Sequence, residues 1–154
     1  MNLPGMESIH PLVVHFPIAL VLSALLVEGL ALALKRPHLR RVALWNLCLG
    51  TLGAAVAVLT GLQAEEIAKH SFEIWKVMGL HERLGITTLV LGLMNCGLRL
   101  GMRDRLTPRL RAMSLGLMVA MAATVSVGAY LGGRLVFEFG VGGQPGVPNS
   151  TYAN

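Results

Sequence analysis

Four long stretches of this chain carry almost no polar residue, and the polar residues are gathered between them. The apolar runs cover roughly Leu12 to Leu34, Val42 to Ala64, Leu84 to Leu100 and Ala112 to Leu131. Several have no polar face at all, unlike the amphipathic helices of a soluble core. A run of about 20 apolar residues is what a helix needs to cross a bilayer. The pattern predicts an all-α integral membrane protein, a four-helix bundle of spanning helices. Residues 1–139 hold the four spans. Residues 140–154, rich in Gly, Pro and Asn, read as an extended or disordered tail.

The connections set the topology. Lys35, Arg36, His38, Arg40 and Arg41 lie between spans one and two, and Arg99, Arg103, Arg105, Arg109 and Arg111, against a single Asp104, lie between spans three and four. The positive-inside rule puts both loops in the cytoplasm. Both termini and the segment 65–83 then face outward, towards a periplasm or its equivalent. Glu7, Glu65, Glu66, Glu73, Glu82 and Glu138 fall on that outer side. No Lys or Arg precedes Lys35, so the first run reads as a retained span rather than a cleaved leader. The expected location is the inner (cytoplasmic) membrane, multi-pass.

The middle connection differs from the other two. Ile67, Ile74 and Met78 recur at helical spacing with charges between them. This predicts an amphipathic helix along the outer interface between spans two and three, with Trp75 at headgroup depth. Gly79 would end it and His81 would open span three. Met78 reads as a hydrophobic anchor.

Composition agrees with a membrane location. Of 154 residues, 54% are hydrophobic and 14% charged, where soluble domains carry about a quarter charged. The net charge is +5, and most of the Lys and Arg behind it sit in the two basic loops, a topology signal rather than a nucleic-acid surface. Cys48 and Cys96 lie inside apolar runs and read as small buried hydrophobes. No CxxC or CxxCH pattern supports a thiol–zinc site or covalent haem.

Against this background the histidines are the candidate chemistry. His10, His15, His70 and His81 all fall where apolar runs meet the outer face, and His38 lies at the opposite one. Imidazole near a membrane is costly unless bound, and imidazoles from different helices suit haem iron or another transition metal. Five residues separate His10 from His15, which puts them on different parts of a helix surface. A Gly79 break separates His70 from His81. Each is therefore expected to find its partner on another helix. The first expected ligand pair is His15 with His81. His10 and His70 form a second pair or hydrogen-bonding supports.

A porphyrin between helices needs small neighbours. Gly50, Gly53, Ala54, Ala57 and Gly61 in span two, and Gly116, Ala123, Gly128, Gly132 and Gly133 in span four, could supply them; taken on their own, close helix packing explains them better. Propionates would need cations at the outer interface, where Lys69, Lys76, Arg83 and Arg134 are available unless paired with Glu65, Glu73, Glu82 or Glu138. Glu28, inside span one, is a candidate functional carboxylate, within reach of Arg36 or Arg41.

The opening His10-Pro11-Leu12-Val13-Val14-His15-Phe16-Pro17 resembles the entry motif of a family of small four-helix membrane proteins, domain of unknown function 2231. The stretch Gly128 to Gly142 resembles that family's closing motif, with Phe137 where tyrosine is usual, and His81 matches the histidine that opens its third span. The resemblance implies the fold and topology over nearly the whole chain. It supplies no activity, and the likeness to b-type cytochrome subunits is one of architecture.

The expected function is that of a membrane electron-transfer subunit. It would hold one haem b, or two, near the outer face and pass electrons between the quinone pool and a periplasmic or membrane redox protein. It would belong to a larger redox complex rather than act as an enzyme alone. The alternatives are a non-catalytic anchor or assembly subunit with structural histidines, and a non-haem iron, copper or zinc site. The lipid bilayer is the one obligatory partner.

Overall fold

In the first span, two prolines govern the local structure. Pro11 and Pro17 lack the N–H that would bond the preceding turn. The chain accordingly forms two helical pieces, α1 (Met6–Val13) and α2 (His15–Ala33), meeting at Val14. This computed structural model describes residues 6–65, 71–102 and 106–141. Helix α2 ends where Lys35 takes a left-handed conformation (φ 53°) and the Arg36 N–H donates to the Ala31 carbonyl at 3.0 Å. That bond caps an otherwise orphaned carbonyl in the Schellman manner.

Proline returns where it is harmless. Pro37 opens α3 (Pro37–Glu65) and Pro108 opens α5 (Pro108–Phe137). Its missing N–H is unneeded in a first turn. The Thr107 hydroxyl caps α5 by accepting from the Leu110 N–H at 3.4 Å.

Helix α4 departs from the sequence expectation. A separate interfacial helix ending at Gly79 is not formed by the described residues. One continuous helix of 31 residues runs from Phe72 to Met102, straight through Gly79. A single interior glycine costs only about 1 kcal/mol relative to alanine. Here Met78, before it, is buried in the bundle and His81, after it, is half-buried on α5. Those contacts outweigh the glycine. Trp75 is exposed, on the first turns of this same helix. Residues 66–70, with Ile67, Lys69 and His70, lie outside the described residues, as does the tail from 142 onward.

Four helical units are long and apolar enough to cross a membrane: His10–Ala33, Pro37–Gln63, Phe72–Met102 and Pro108–Phe137. They pack in a closed ring, α2 on α3, α3 on α4, α4 on α5 and α5 back on α2, with α1 laid on α3. The centre is Val21, Ala24, Leu47, Cys96, Met118 and Met121, with Cys48 against it. Large apolar side chains such as Leu26, Trp45, Leu52 and Val119 point outward. Such a surface would aggregate in water and is the normal exterior of a bundle in lipid.

Without a hydrophobic driving force in lipid, close approach decides helix association. A Cβ on Gly50 would lie 3.1 Å from Val21, and one on Gly53 would lie 3.1 Å from Phe16. Gly92 is tightest: a Cβ there would stand 2.5 Å from the Thr51 hydroxyl and 2.8 Å from the Met121 methyl. Gly92→Ala should therefore destabilise the bundle by about 1–3 kcal/mol. Gly97→Ala, on the same helix with open space at its Cβ, should be neutral or slightly stabilising. Thermal unfolding of the two variants in detergent checks the contrast.

This packing gives the bundle two chemically distinct ends. His10, His15 and His81 lie towards one; the α2–α3 turn, Arg40, Arg99 and Arg111 lie at the other.

Candidate metal-binding site at the histidine end

Each half-buried histidine at this end sits on a bare glycine backbone. A Cβ on Gly61 of α3 would lie 3.0 Å from His10 Cε1, and a Cβ on Gly132 of α5 would lie 3.1 Å from His81 Cε1. Two of the glycines expected to make room for a macrocycle thus seat imidazoles. Gly50 and Gly53 serve helix packing, and Gly116 and Gly133 face open space.

Hydrogen bonding anchors one nitrogen of each ring. His81 Nδ1 is 2.9 Å from the Gly128 carbonyl. A carbonyl only accepts, so this nitrogen carries the proton. His10 Nδ1 is 3.1 Å from the Thr60 hydroxyl, whose own proton goes to the carbonyls of Val56 (2.9 Å) and Ala57 (3.1 Å). Thr60 can therefore only accept from His10. Each ring thus donates from Nδ1, and its Nε2 makes no hydrogen bond among the described residues. That is how proteins hold metal-ligating histidines, because the outer hydrogen bond fixes the ring and raises its basicity.

The two rings also meet. Their centroids are 6.1 Å apart and their planes perpendicular.

His15, the partner expected for His81, is not in this pair. Its ring is exposed, and its Nδ1 bonds back to the Pro11 carbonyl at 2.8 Å. The break at Val14 separates the two histidines, and α1, lying on α3, carries His10 to Thr60 and to His81 instead. His70 lies outside the described residues. Thr60 was not singled out from the sequence. Its place directly before Gly61 is the signal that could have found it, a hydroxyl beside a residue with no side chain.

The proposed propionate cations fare unequally. Lys76 and Arg83 are exposed, and Lys69 is outside the described residues. Arg134 is held by Glu138, with Nη2 at 2.7 Å and Nε at 2.8 and 3.0 Å from its carboxylate. This bond draws the Glu138 carboxyl below its ordinary pKa. Among the described residues no group of three or more His, Cys, Asp or Glu side chains converges as a metal site.

At the opposite end Glu28 is paired, though not with Arg36 or Arg41. Arg99 Nη2 stands 3.0 Å from its Oε2 and Arg40 Nε 4.0 Å from its Oε1. Arg99 is buried; it also donates to the Arg40 carbonyl at 3.1 Å and contacts Met118 Sδ at 3.7 Å. Beside it the buried Asn95 and Ser114 exchange hydrogen bonds of 2.7 and 3.0 Å.

Fold and ends together define a four-span helical membrane protein with an imidazole pair at one end and an arginine cluster at the other. The profile of the family described as a predicted membrane protein, domain of unknown function 2231, matches residues 6–145, and the chain belongs to that family. No curated protein and no solved structure matches it.

Proposed function

We propose that this protein is a membrane electron-transfer subunit that holds a haem b between His10 and His81. The observation that carries the reading is the pair itself: two rings from different helices, perpendicular, 6.1 Å apart, each with Nδ1 anchored. The donor set favours haem over a bare ion. A porphyrin brings four nitrogens of its own and asks the protein for two axial ligands. A structural zinc site needs four ligands from the chain, and no described cluster reaches three.

Bound there, haem iron supplies a one-electron couple. The chain's residues do the rest. Thr60 and Gly128 fix the ring orientations, Gly61 and Gly132 let the rings lie close to backbone, and Lys76 and Arg83 offer charge to propionates. The two arginine-rich loops support an inner-membrane topology with the histidine end facing the periplasm. That placement suits exchange between the quinone pool and a periplasmic redox partner.

The direct test is the reduced-minus-oxidised visible spectrum of the purified chain, with haem-to-protein stoichiometry. Sharp b-type bands at one haem per chain are expected. A colourless protein that holds no iron after haem-supplemented expression would overturn the proposal.

A further inference from the structure

The arginine end holds a second feature that the electron-transfer reading does not use. A cavity of about 20 Å³ opens there, lined by Glu28, Arg40, Arg99, Leu106, Arg111 and Ser114. That volume suits one oxygen-sized atom, since a water needs about 10–15 Å³. Three guanidinium groups face it against one carboxylate, and the carboxylate is neutralised by Arg99 at 3.0 Å. Arg99 is largely committed to Glu28, the Arg40 carbonyl and Met118. The Ser114 hydroxyl is donated to Asn95. Arg40 Nε, 4.0 Å from Glu28 Oε1, is a buried donor with no hydrogen-bond partner among the described residues, as Glu28 Oε2 is a buried acceptor without one despite its ion pair with Arg99; proteins rarely leave such groups unanswered. Arg111 is exposed and brings a second guanidinium to the cavity.

We propose that this cavity receives a phosphate oxygen of an anionic phospholipid, the rest of the phosphodiester lying between Arg40 and Arg111. Three observations support the assignment. The lining carries excess positive charge, which a water would leave uncompensated. Arg40 and Arg111 lie in the first turns of α3 and α5, and Arg99 in the last turn of α4; all three are at span ends, where lipid phosphates lie. Guanidinium also matches phosphate in geometry as well as charge, and basic pockets between spanning helices are known takers of lipid headgroups. Lys35, Arg36, Arg41 and Arg109, exposed around the same end, add to the attraction.

The test is thermal unfolding of the detergent-purified full chain with added phosphatidylglycerol, phosphatidylcholine or inorganic phosphate. Phosphatidylglycerol should raise the midpoint by a few degrees through preferential binding to the folded state. Arg111→Gln, at an exposed position that the fold does not need, should lose most of that shift, as should Arg40→Gln; Arg109→Gln, outside the lining, should keep it. Native mass spectrometry should show one retained phosphatidylglycerol per chain, reduced in Arg111→Gln. Equal stabilisation by phosphatidylcholine, or an undiminished shift in Arg111→Gln, would overturn the site and leave the cavity to water. Equal stabilisation by inorganic phosphate would overturn the lipid as the source.

Discussion

His81→Ala removes the b-type absorption of the purified protein, His10→Ala does the same, and His15→Ala retains it: this is the largest effect expected for the chain. On the proposed reading, each of the first two substitutions would remove one of the two imidazoles that hold the haem. Neither leaves a described His, Cys, Asp or Glu cluster to take its place. His15 is turned back onto the Pro11 carbonyl and exposed, so its loss should cost a local hydrogen bond only. Visible spectra and haem stoichiometry of the three variants separate these outcomes. His10→Gly and His81→Gly add a control for misfolding, because free imidazole should restore the bands if the remaining site is intact. Loss of the spectrum in His15→Ala alone would reject the His10–His81 pairing and favour the pair expected from sequence.

Arg99→Met comes second, and its effect is on stability. It leaves the Glu28 carboxylate, whose side chain is 12% exposed, with only Arg40 at 4.0 Å. Removing one partner of a buried ion pair costs about 3–5 kcal/mol. For a chain of this size each kcal/mol moves the unfolding midpoint by roughly 2–4 °C, so a drop on the order of 10 °C is expected in detergent. The Glu28→Gln, Arg99→Met double variant should recover much of it, because no unpaired charge then remains. A double variant no more stable than Arg99→Met would mean that the cost lies in lost packing on Met118 rather than in the stranded carboxylate.

The four spans were legible because burial in lipid leaves a continuous apolar signal that needs no partner to be read. The ends were less so. Amphipathic spacing through Ile74 and Met78 suggests an interfacial helix, yet in the structure their helix is the opening of α4. Spacing reports which face is apolar, not what covers it, and one glycine is too weak a stop. The histidines were recognisable as a set but not as pairs. Pairing depends on the break at Val14 and on α1 lying against α3, which are tertiary facts. Arg99 reads in sequence as one more topology-setting cation; only the fold shows that it turns inward to Glu28. Leu98 and Leu100 on either side of it, inside an apolar run, are the local hint that it belongs to the span.

The length of α4 has a further consequence. Thirty-one residues at a rise of 1.5 Å each amount to about 46 Å, well beyond the roughly 30 Å acyl layer. Even with the tilt that relieves hydrophobic mismatch, such a rod carries its termini clear of the oil. His81 and Arg99 stand about 27 Å apart along it, so each would lie near a border of that layer, where a polar group is held at far lower cost than at the midplane.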